Sequence, residues 1–167
     1  MNAVHVRSAT EEDLVRVGEV VNHYIEHSVF NFRTEPQSIG ELRTVWAQRH
    51  QRFPWLVAVL DDRVVGVAYA GPWNERAAYR WTVETTVYVD ESAHRRGVGD
   101  ALYTKLLDRL RGRGFHSAVA VIALPNEASV RLHERHGFDG VGHLREAGFK
   151  HNAWHDVGFW QCLLASG

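Results

Sequence analysis

Val87-Tyr88-Val89-Asp90-Glu91-Ser92-Ala93-His94-Arg95-Arg96-Gly97-Val98-Gly99-Asp100-Ala101-Leu102 is the stretch from which the rest of the chain can be read. It opens with three β-formers, turns polar, carries two glycines, and ends in an apolar stripe continued by Leu106, Leu107 and Leu110 at helical spacing. That is a strand, a glycine loop and a helix. Glycine lets a backbone come close to a ligand, and a helix start offers amide donors with no partner. Those amides and the helix dipole together favour a phosphate, and Arg95 and Arg96 add mobile positive charge. Glycine spacing alone serves a plain tight turn equally well, so both readings stay open at this point. A P-loop is excluded because no Gly-Lys-Ser/Thr follows, and a dinucleotide loop because Gly-x-Gly-x-x-Gly is absent.

Working outward, Asp100 to Arg113 reads as the helix, with Gly112 and Gly114 bracketing its end. Ser117 to Ala123 is a nearly continuous apolar run, which predicts a strand buried on both faces. Asn126 to Arg135 predicts a short helix ending near Gly137, and the tail supplies one or two strands through Val141–Leu144 and Val157–Leu163. Upstream, Trp55–Leu60, Asp61-Asp62 and Arg63–Ala70 read as a hairpin stopped by Gly71-Pro72, and Trp81–Val89 as a further strand. Val4–Arg7 is a short strand. Leu14, Val17, Val20, Val21, Tyr24 and Ile25 recur as one helical face after a Thr10/Asp13 start signal. Ile39, Leu42, Val45 and Trp46 mark a second helix beyond Thr34-Glu35-Pro36. The order β-α-α-β-β-β-α-β-α-β predicts a single α/β layered domain over 1–167, with helices flanking a central mixed sheet.

Composition narrows the function classes. With 167 residues, 45% hydrophobic and 23% charged, the chain can bury one domain core. Lys+Arg 19 against Asp+Glu 20 gives a net charge of −1, so no global field would hold nucleic acid or an anionic membrane. No apolar run approaches the ~20 residues that span a bilayer. The opening Met1–Arg7 has no charged segment followed by an apolar one, so no signal peptide is expected and a cytoplasmic location is. The single Cys162 fits a reducing compartment and reads as a small packed hydrophobe. The histidines are scattered, and His133 with His136 lacks a third ligand, so no metal is expected.

One residue stands out inside a strand. Alternation places Glu84, Thr86 and Tyr88 on one face and Thr85, Val87 and Val89 on the other. A glutamate among apolar and aromatic neighbours costs burial energy unless it is paired or active, which leaves a salt-bridged glutamate and a general base both open.

The Arg-Arg-Gly-Val-Gly stretch before a helix resembles the pyrophosphate loop of GCN5-related N-acetyltransferases, whose pattern is Gln/Arg-x-x-Gly-x-Gly/Ala. The family's second signature is matched by Asn126-Glu127-Ala128-Ser129 and Gly137-Phe138. Within that superfamily the chain is similar to phosphinothricin and methionine sulfoximine N-acetyltransferases. The similarity runs through Val21–Glu26, Asn31–Pro36, Ala68–Trp73, Trp81–Glu84, Ser129–Glu134 and Trp154–Trp160. His94 stands where the family prefers Gln or Arg. Asp100 beside a phosphate loop is electrostatically unfavourable unless its carboxylate turns back to cap the helix.

The resemblance implies acetyl-CoA as co-substrate and direct transfer to the α-amine of a small amino-acid-like acceptor, without a covalent enzyme intermediate. It implies cofactor contacts from Val87, Tyr88, Val89, Arg95, Arg96, Gly97, Val98, Gly99, Asp100, Asn126 and Ser129, mostly through main-chain amides. Main-chain donors near Val89 would polarise the thioester carbonyl. An amine that is mostly protonated at neutral pH needs a base, the role expected of Glu84. His133 sits where many relatives carry the tyrosine that protonates the departing thiolate. Imidazole can do the same or share the base role, and a packed helix-face histidine is the structural alternative. For a zwitterionic acceptor the expected contacts are Phe32, Asn74, Arg76, Tyr79, Trp81 and Lys150. Trp73 and His151 lie nearby, and core packing is the default role for the aromatic residues. A homodimer is implied. The other readings are a protein or peptide N-acetyltransferase, which would want an open groove, and a CoA-binding module without catalysis.

Overall fold

The computed structural model describes residues 2–164. In chain order the elements are β1 (His5–Ser8), α1 (Leu14–His27), α2 (Ile39–Arg49), β2 (Trp55–Leu60), β3 (Arg63–Pro72), β4 (Thr82–Val89), α3 (Val98–Gly112), β5 (Ser117–Leu124), α4 (Glu127–Arg135), β6 (Asp139–Lys150) and β7 (Ala153–Leu163). They build a seven-stranded mixed sheet in the order β1-β2-β3-β4-β5-β7-β6. This is the expected α/β layered architecture.

Each face of the sheet buries its own core. On one side Leu102, Tyr103, Leu106 and Leu110 of α3 pack on Leu56, Ala58, Ala68, Val83 and Ala120, with Val130 and Leu132 of α4 against the same cluster. On the other, Leu14, Val17, Val21 and Ile25 of α1 and Leu42 of α2 cover Val57, Val67 and Trp55. The helical stripes read from the sequence are thus the buried ones. Start signals behave locally as well. The Asp13 carboxylate accepts the Thr10 amide at 2.7 Å and pairs with Arg7, while Ser38 accepts the Glu41 amide at the start of α2.

Two hairpins use left-handed residue pairs. Asp61 (φ 50°) and Asp62 (φ 59°) join β2 to β3, and His151 (φ 51°) and Asn152 (φ 59°) join β6 to β7. The second hairpin corrects the sequence reading. Its strands run 12 and 11 residues, far beyond Val141–Leu144 and Val157–Leu163. Polar and glycine-rich flanks hid the extra pairs, because on a one-sided edge strand long-range partners decide pairing more than local propensity. Likewise α3 begins at Val98, two residues before the expected start.

The one parallel pair of the sheet positions the site. β4 and β5 are in register only at Thr82/Ser117, Val83/Ala118 and Glu84/Val119. Beyond Glu84 the two strands part, although β5 stays paired to β7 along its whole length. Val121, in the middle of an otherwise buried strand, is consequently exposed to the opening.

Candidate active site

The parted strands form a cleft of about 840 Å³. Its walls include Glu84 to Val89 from β4, Ala120 to Ala123 from β5, the loop and first turn of α3, Asn126 before α4, and Ser129, Leu132 and His133 within it. Where the cleft meets α3, Gly97 has φ 75°, a conformation costly for any residue with a Cβ, and caps the helix without a side chain. Ala101 donates the first helical hydrogen bond, to the Gly97 carbonyl at 3.0 Å. The amides of Val98, Gly99 and Asp100 ahead of it have no helical acceptor and sit at the positive end of the helix dipole. Gly99 serves a different purpose: a Cβ there would lie 3.2 Å from the Leu132 side chain, so α3 and α4 pack closely at this point.

Asp100 escapes the electrostatic penalty by another route than capping the helix. Its carboxylate reaches across to α4, 3.2 Å from Arg135 and 3.0 Å from His136. Burial pushes its carboxyl up, but the bonds from Arg135 and His136 outweigh that and hold it below the usual carboxylate range. The negative charge beside the loop is thereby compensated. Arg131 and Arg135 also line the cleft, cations that sequence reading missed. The signal was available, since residues 131 and 135 lie four apart on one face of α4.

At the other end of the cleft lie Glu84, Thr86 and Tyr88 of β4, Tyr69 of β3, and Phe30, Asn31 and Phe32 from the α1–α2 connection. Glu84 is half-buried and has no hydrogen-bond or ion-pair partner among the described residues. Burial raises its pKa, with Arg49 of α2 pulling the other way. Arg49 has room because position 71, opposite Glu84, is glycine; a Cβ there would stand 3.3 Å from the guanidinium.

The connecting segment is held by three devices. Asn22 exchanges hydrogen bonds with the Gln37 main chain at 2.8 and 3.0 Å. Asn31 donates to the Tyr88 hydroxyl at 3.1 Å. Lys150, only 5% exposed, donates to the carbonyls of Ile25 at 2.6 Å and Asn31 at 2.7 Å. Tyr24 ties α1 to the end of β4: its hydroxyl donates to the Val89 carbonyl at 2.5 Å and lies 2.8 Å from His94. His94 is therefore a link between α1 and the glycine loop.

His133 is buried in the α4 wall. Its Nδ1 is 2.7 Å from the Ser129 carbonyl and its Nε2 is 2.6 Å from the Tyr103 hydroxyl, which in turn meets the Thr85 hydroxyl at 3.0 Å. Burial lowers the imidazole pKa. Asn126 caps α4 by accepting the Ser129 amide at 3.2 Å.

A splayed parallel pair, a glycine loop opening a helix and a lone carboxylate in one cleft is the arrangement to compare with known proteins. The acetyltransferase (GNAT) domain model matches residues 6–158. The chain belongs to the GNAT acetyltransferases. It is 54% identical over 158 residues to a phosphinothricin N-acetyltransferase of Streptomyces viridochromogenes, covering 95% of this chain and 86% of that one. An L-methionine sulfoximine/L-methionine sulfone acetyltransferase of Salmonella typhimurium is 33% identical over 95% of this chain and 94% of its own. A phosphinothricin acetyltransferase from Sinorhizobium meliloti, solved in complex with acetyl-CoA, superposes with a TM-score of 0.95 at 31% identity, covering 99% of this chain and 91% of that one.

In this acetyltransferase the cleft gathers Glu84, Val87, Tyr88, Val89, Arg95, Gly97, Val98, Gly99, Asp100, Asn126, Ser129, His133 and Phe32 from among the expected site residues. Arg96 is exposed and lies outside its lining. Four acceptor candidates fall outside as well, and all are exposed. Asn74 accepts the Arg76 amide at 2.9 Å within a turn, Arg76 points to no protein group, and Tyr79 (42%) and Trp81 (46%) lie on the surface. Lys150, also expected at the acceptor, lies outside the lining, and its ammonium donates to two main-chain carbonyls. Trp73 packs edge-on against Phe159, outside the cleft. Among the described residues no group of three His, Cys, Asp or Glu side chains is arranged to hold a metal.

Proposed function

We propose that this enzyme transfers acetyl from acetyl-CoA to the α-amine of a small amino-acid-like acceptor of the phosphinothricin or methionine sulfoximine/sulfone class. The observation that carries the reading is Glu84: a half-buried, unpartnered carboxylate where β4 and β5 part, in the same cleft as the free amides of α3. Arg49 is the nearby cation and lowers the pKa of Glu84, yet burial outweighs it and no salt bridge is formed by Glu84 among the described residues, unlike an ion-paired structural glutamate.

The co-substrate fits the chain on structural grounds. The amides of Val98, Gly99 and Asp100, with Arg95 beside them, suit a diphosphate, and the gap between β4 and β5 offers unpaired strand edges to an extended amide-bearing arm. When bound, acetyl-CoA supplies an activated acyl thioester. Glu84 then takes the proton of the acceptor ammonium, and its raised pKa brings it nearer that of a working base. Phe30, Asn31 and Phe32 wall the acceptor, Arg49 adds positive charge near Glu84, and His133 returns a proton to the departing sulfur. The relatives named for phosphinothricin and for methionine sulfoximine or sulfone support this acceptor class.

The deciding experiment follows thiol release with phosphinothricin, methionine sulfoximine, methionine sulfone, polyamines and short peptides. Turnover confined to the amino-acid analogues supports the reading. Preference for peptides would make the chain a protein acetyltransferase, and no turnover with saturable acetyl-CoA binding would make it a binding module. We also propose a homodimer, supported by the exposed apolar side chains Val141, Leu144, Phe149 and Trp154 on the β6–β7 hairpin and checked by sedimentation equilibrium.

A further inference from the structure

His133 lines the cleft, yet neither of its ring nitrogens is free. Nδ1 faces a carbonyl, Ser129 O, at 2.7 Å, and a carbonyl can only accept, so Nδ1 carries the hydrogen. In the neutral ring Nε2 is then a lone-pair acceptor, and its partner among the described residues is the Tyr103 hydroxyl at 2.6 Å. Tyr103 therefore spends its hydrogen on His133, and its oxygen accepts from Thr85 at 3.0 Å. With the shorter contact of Nδ1 to the Ser129 carbonyl (2.7 Å, against 3.3 Å to the Ser129 hydroxyl) taking the Nδ1 hydrogen, the chain runs in one direction: Thr85 to Tyr103 to His133. Tyr103 is 0% exposed and is enclosed by the rings of His133, His136 and Phe138. Thr85, at the other end, is one residue beyond Glu84 in the cleft wall.

We propose that Tyr103 and Thr85 are positioning residues that form the path by which the Nε2 proton of His133 reaches the cleft, the tautomer itself being held by the Ser129 carbonyl on Nδ1. The proposal rests on the acyl-transfer role given to His133 above. When water in the cleft gives a proton to the Thr85 oxygen, the Thr85 hydrogen moves to Tyr103 and the Tyr103 hydrogen to Nε2, and both bonds reverse. His133 donates to Tyr103, Tyr103 to Thr85, and the Thr85 hydroxyl hydrogen is left free for the cleft. Delivery to a departing thiolate breaks the Thr85 O–H bond and forms S–H. The Tyr103 hydrogen moves to Thr85, and the Nε2 hydrogen moves to Tyr103. Three neutral groups remain, bonded in the resting arrangement, and His133 has lost one positive charge as the thiolate lost one negative charge. Burial holds the Tyr103 phenol well above its ordinary pKa, so it stays a neutral hydroxyl able both to give and to take a proton.

The test combines histidine nitrogen spectroscopy with kinetics. In wild-type enzyme labelled with 15N-histidine, the signals removed by His133→Gln should be those of a neutral ring protonated at Nδ1. Tyr103→Phe leaves the Ser129 carbonyl in place, so the Nδ1-protonated tautomer should persist while the path is cut and kcat falls. Thr85→Val leaves the Tyr103–His133 bond in place, so it should keep the wild-type tautomer while lowering kcat about tenfold, the scale of one lost hydrogen bond, with KM for acetyl-CoA unchanged. A wild-type His133 protonated at Nε2, or Thr85→Val with full kcat, overturns the relay. Thr85→Val carries the test even where Tyr103→Phe does not fold. Full activity of His133→Gln would end the role of His133 itself. A crippled His133→Gln beside a fully active Thr85→Val would end only the relay.

Discussion

Replacing Lys150 by methionine separates a structural cation from an acceptor ligand. Ile25 lies in the last turn of α1, where carbonyls have no helical donor, and the Lys150 ammonium fills that need at 2.6 Å while also holding Asn31 at 2.7 Å. Methionine keeps the stem and the packing but leaves two buried carbonyls unpaired, each costing ~1–3 kcal/mol. Against this, the ammonium no longer has to be desolvated, a cost visible in the direction of its pKa, which burial lowers. Two carbonyls minus that relief leave a net loss of about 2–4 kcal/mol, because removing one partner of a buried charged contact outweighs the desolvation recovered. In a chain of this size that corresponds to roughly 5–15 °C in Tm. Urea or thermal unfolding reads the loss directly. The loosened Phe30–Phe32 wall should raise the acceptor KM, while acetyl-CoA affinity, built on α3, stays at the wild-type value. Lys150→Met with unchanged stability and a raised KM would refute the reasoning and make Lys150 a direct acceptor ligand.

Glu84→Gln should lower kcat by about 10²–10⁴ with acetyl-CoA affinity retained by calorimetry. Because burial raises the pKa of Glu84 in the folded state, its favourable contribution is complete below the unfolded value and is lost as pH rises through the folded one. The same variant should therefore be no less stable than wild type at neutral pH. The acid limb of kcat/KM should lie above the ordinary glutamate range and vanish in the residual activity of the variant. Gly97→Ala forces a Cβ into φ 75°, a cost of roughly 1–2 kcal/mol, and should weaken acetyl-CoA binding as the α3 start distorts; unaltered calorimetric affinity would remove the phosphate assignment from this turn. Asp90 is held at a pKa of about 2 by its bonds from Ser92, with Arg16 assisting, against an ordinary 3.8. Its stabilising contribution is present above the ordinary value and decays as pH falls from about 4 to about 2, a loss that Asp90→Asn should abolish in acid-titrated unfolding.

Local physics made much of this protein legible in one dimension. The 3.6-residue stripes of α1 and α3, the apolar run of β5, the Asp61-Asp62 turn and the Gly97/Gly99 loop are written in neighbouring residues, because helix faces, paired strands and tight turns are decided over a few positions. Glu84 could be singled out for the same reason: a carboxylate breaks an apolar alternation visibly. What depends on distant residues meeting could not be read that way. That Asp100 is neutralised from α4, that Lys150 braces the end of α1, and that His133 has its nitrogens turned toward Ser129 and Tyr103 are all contacts made by the packed chain. So is the parting of β4 from β5 after Glu84, which opens the cleft. Side-chain type records which bonds a residue can make, and only the packed chain decides which partner is within three ångströms to make them.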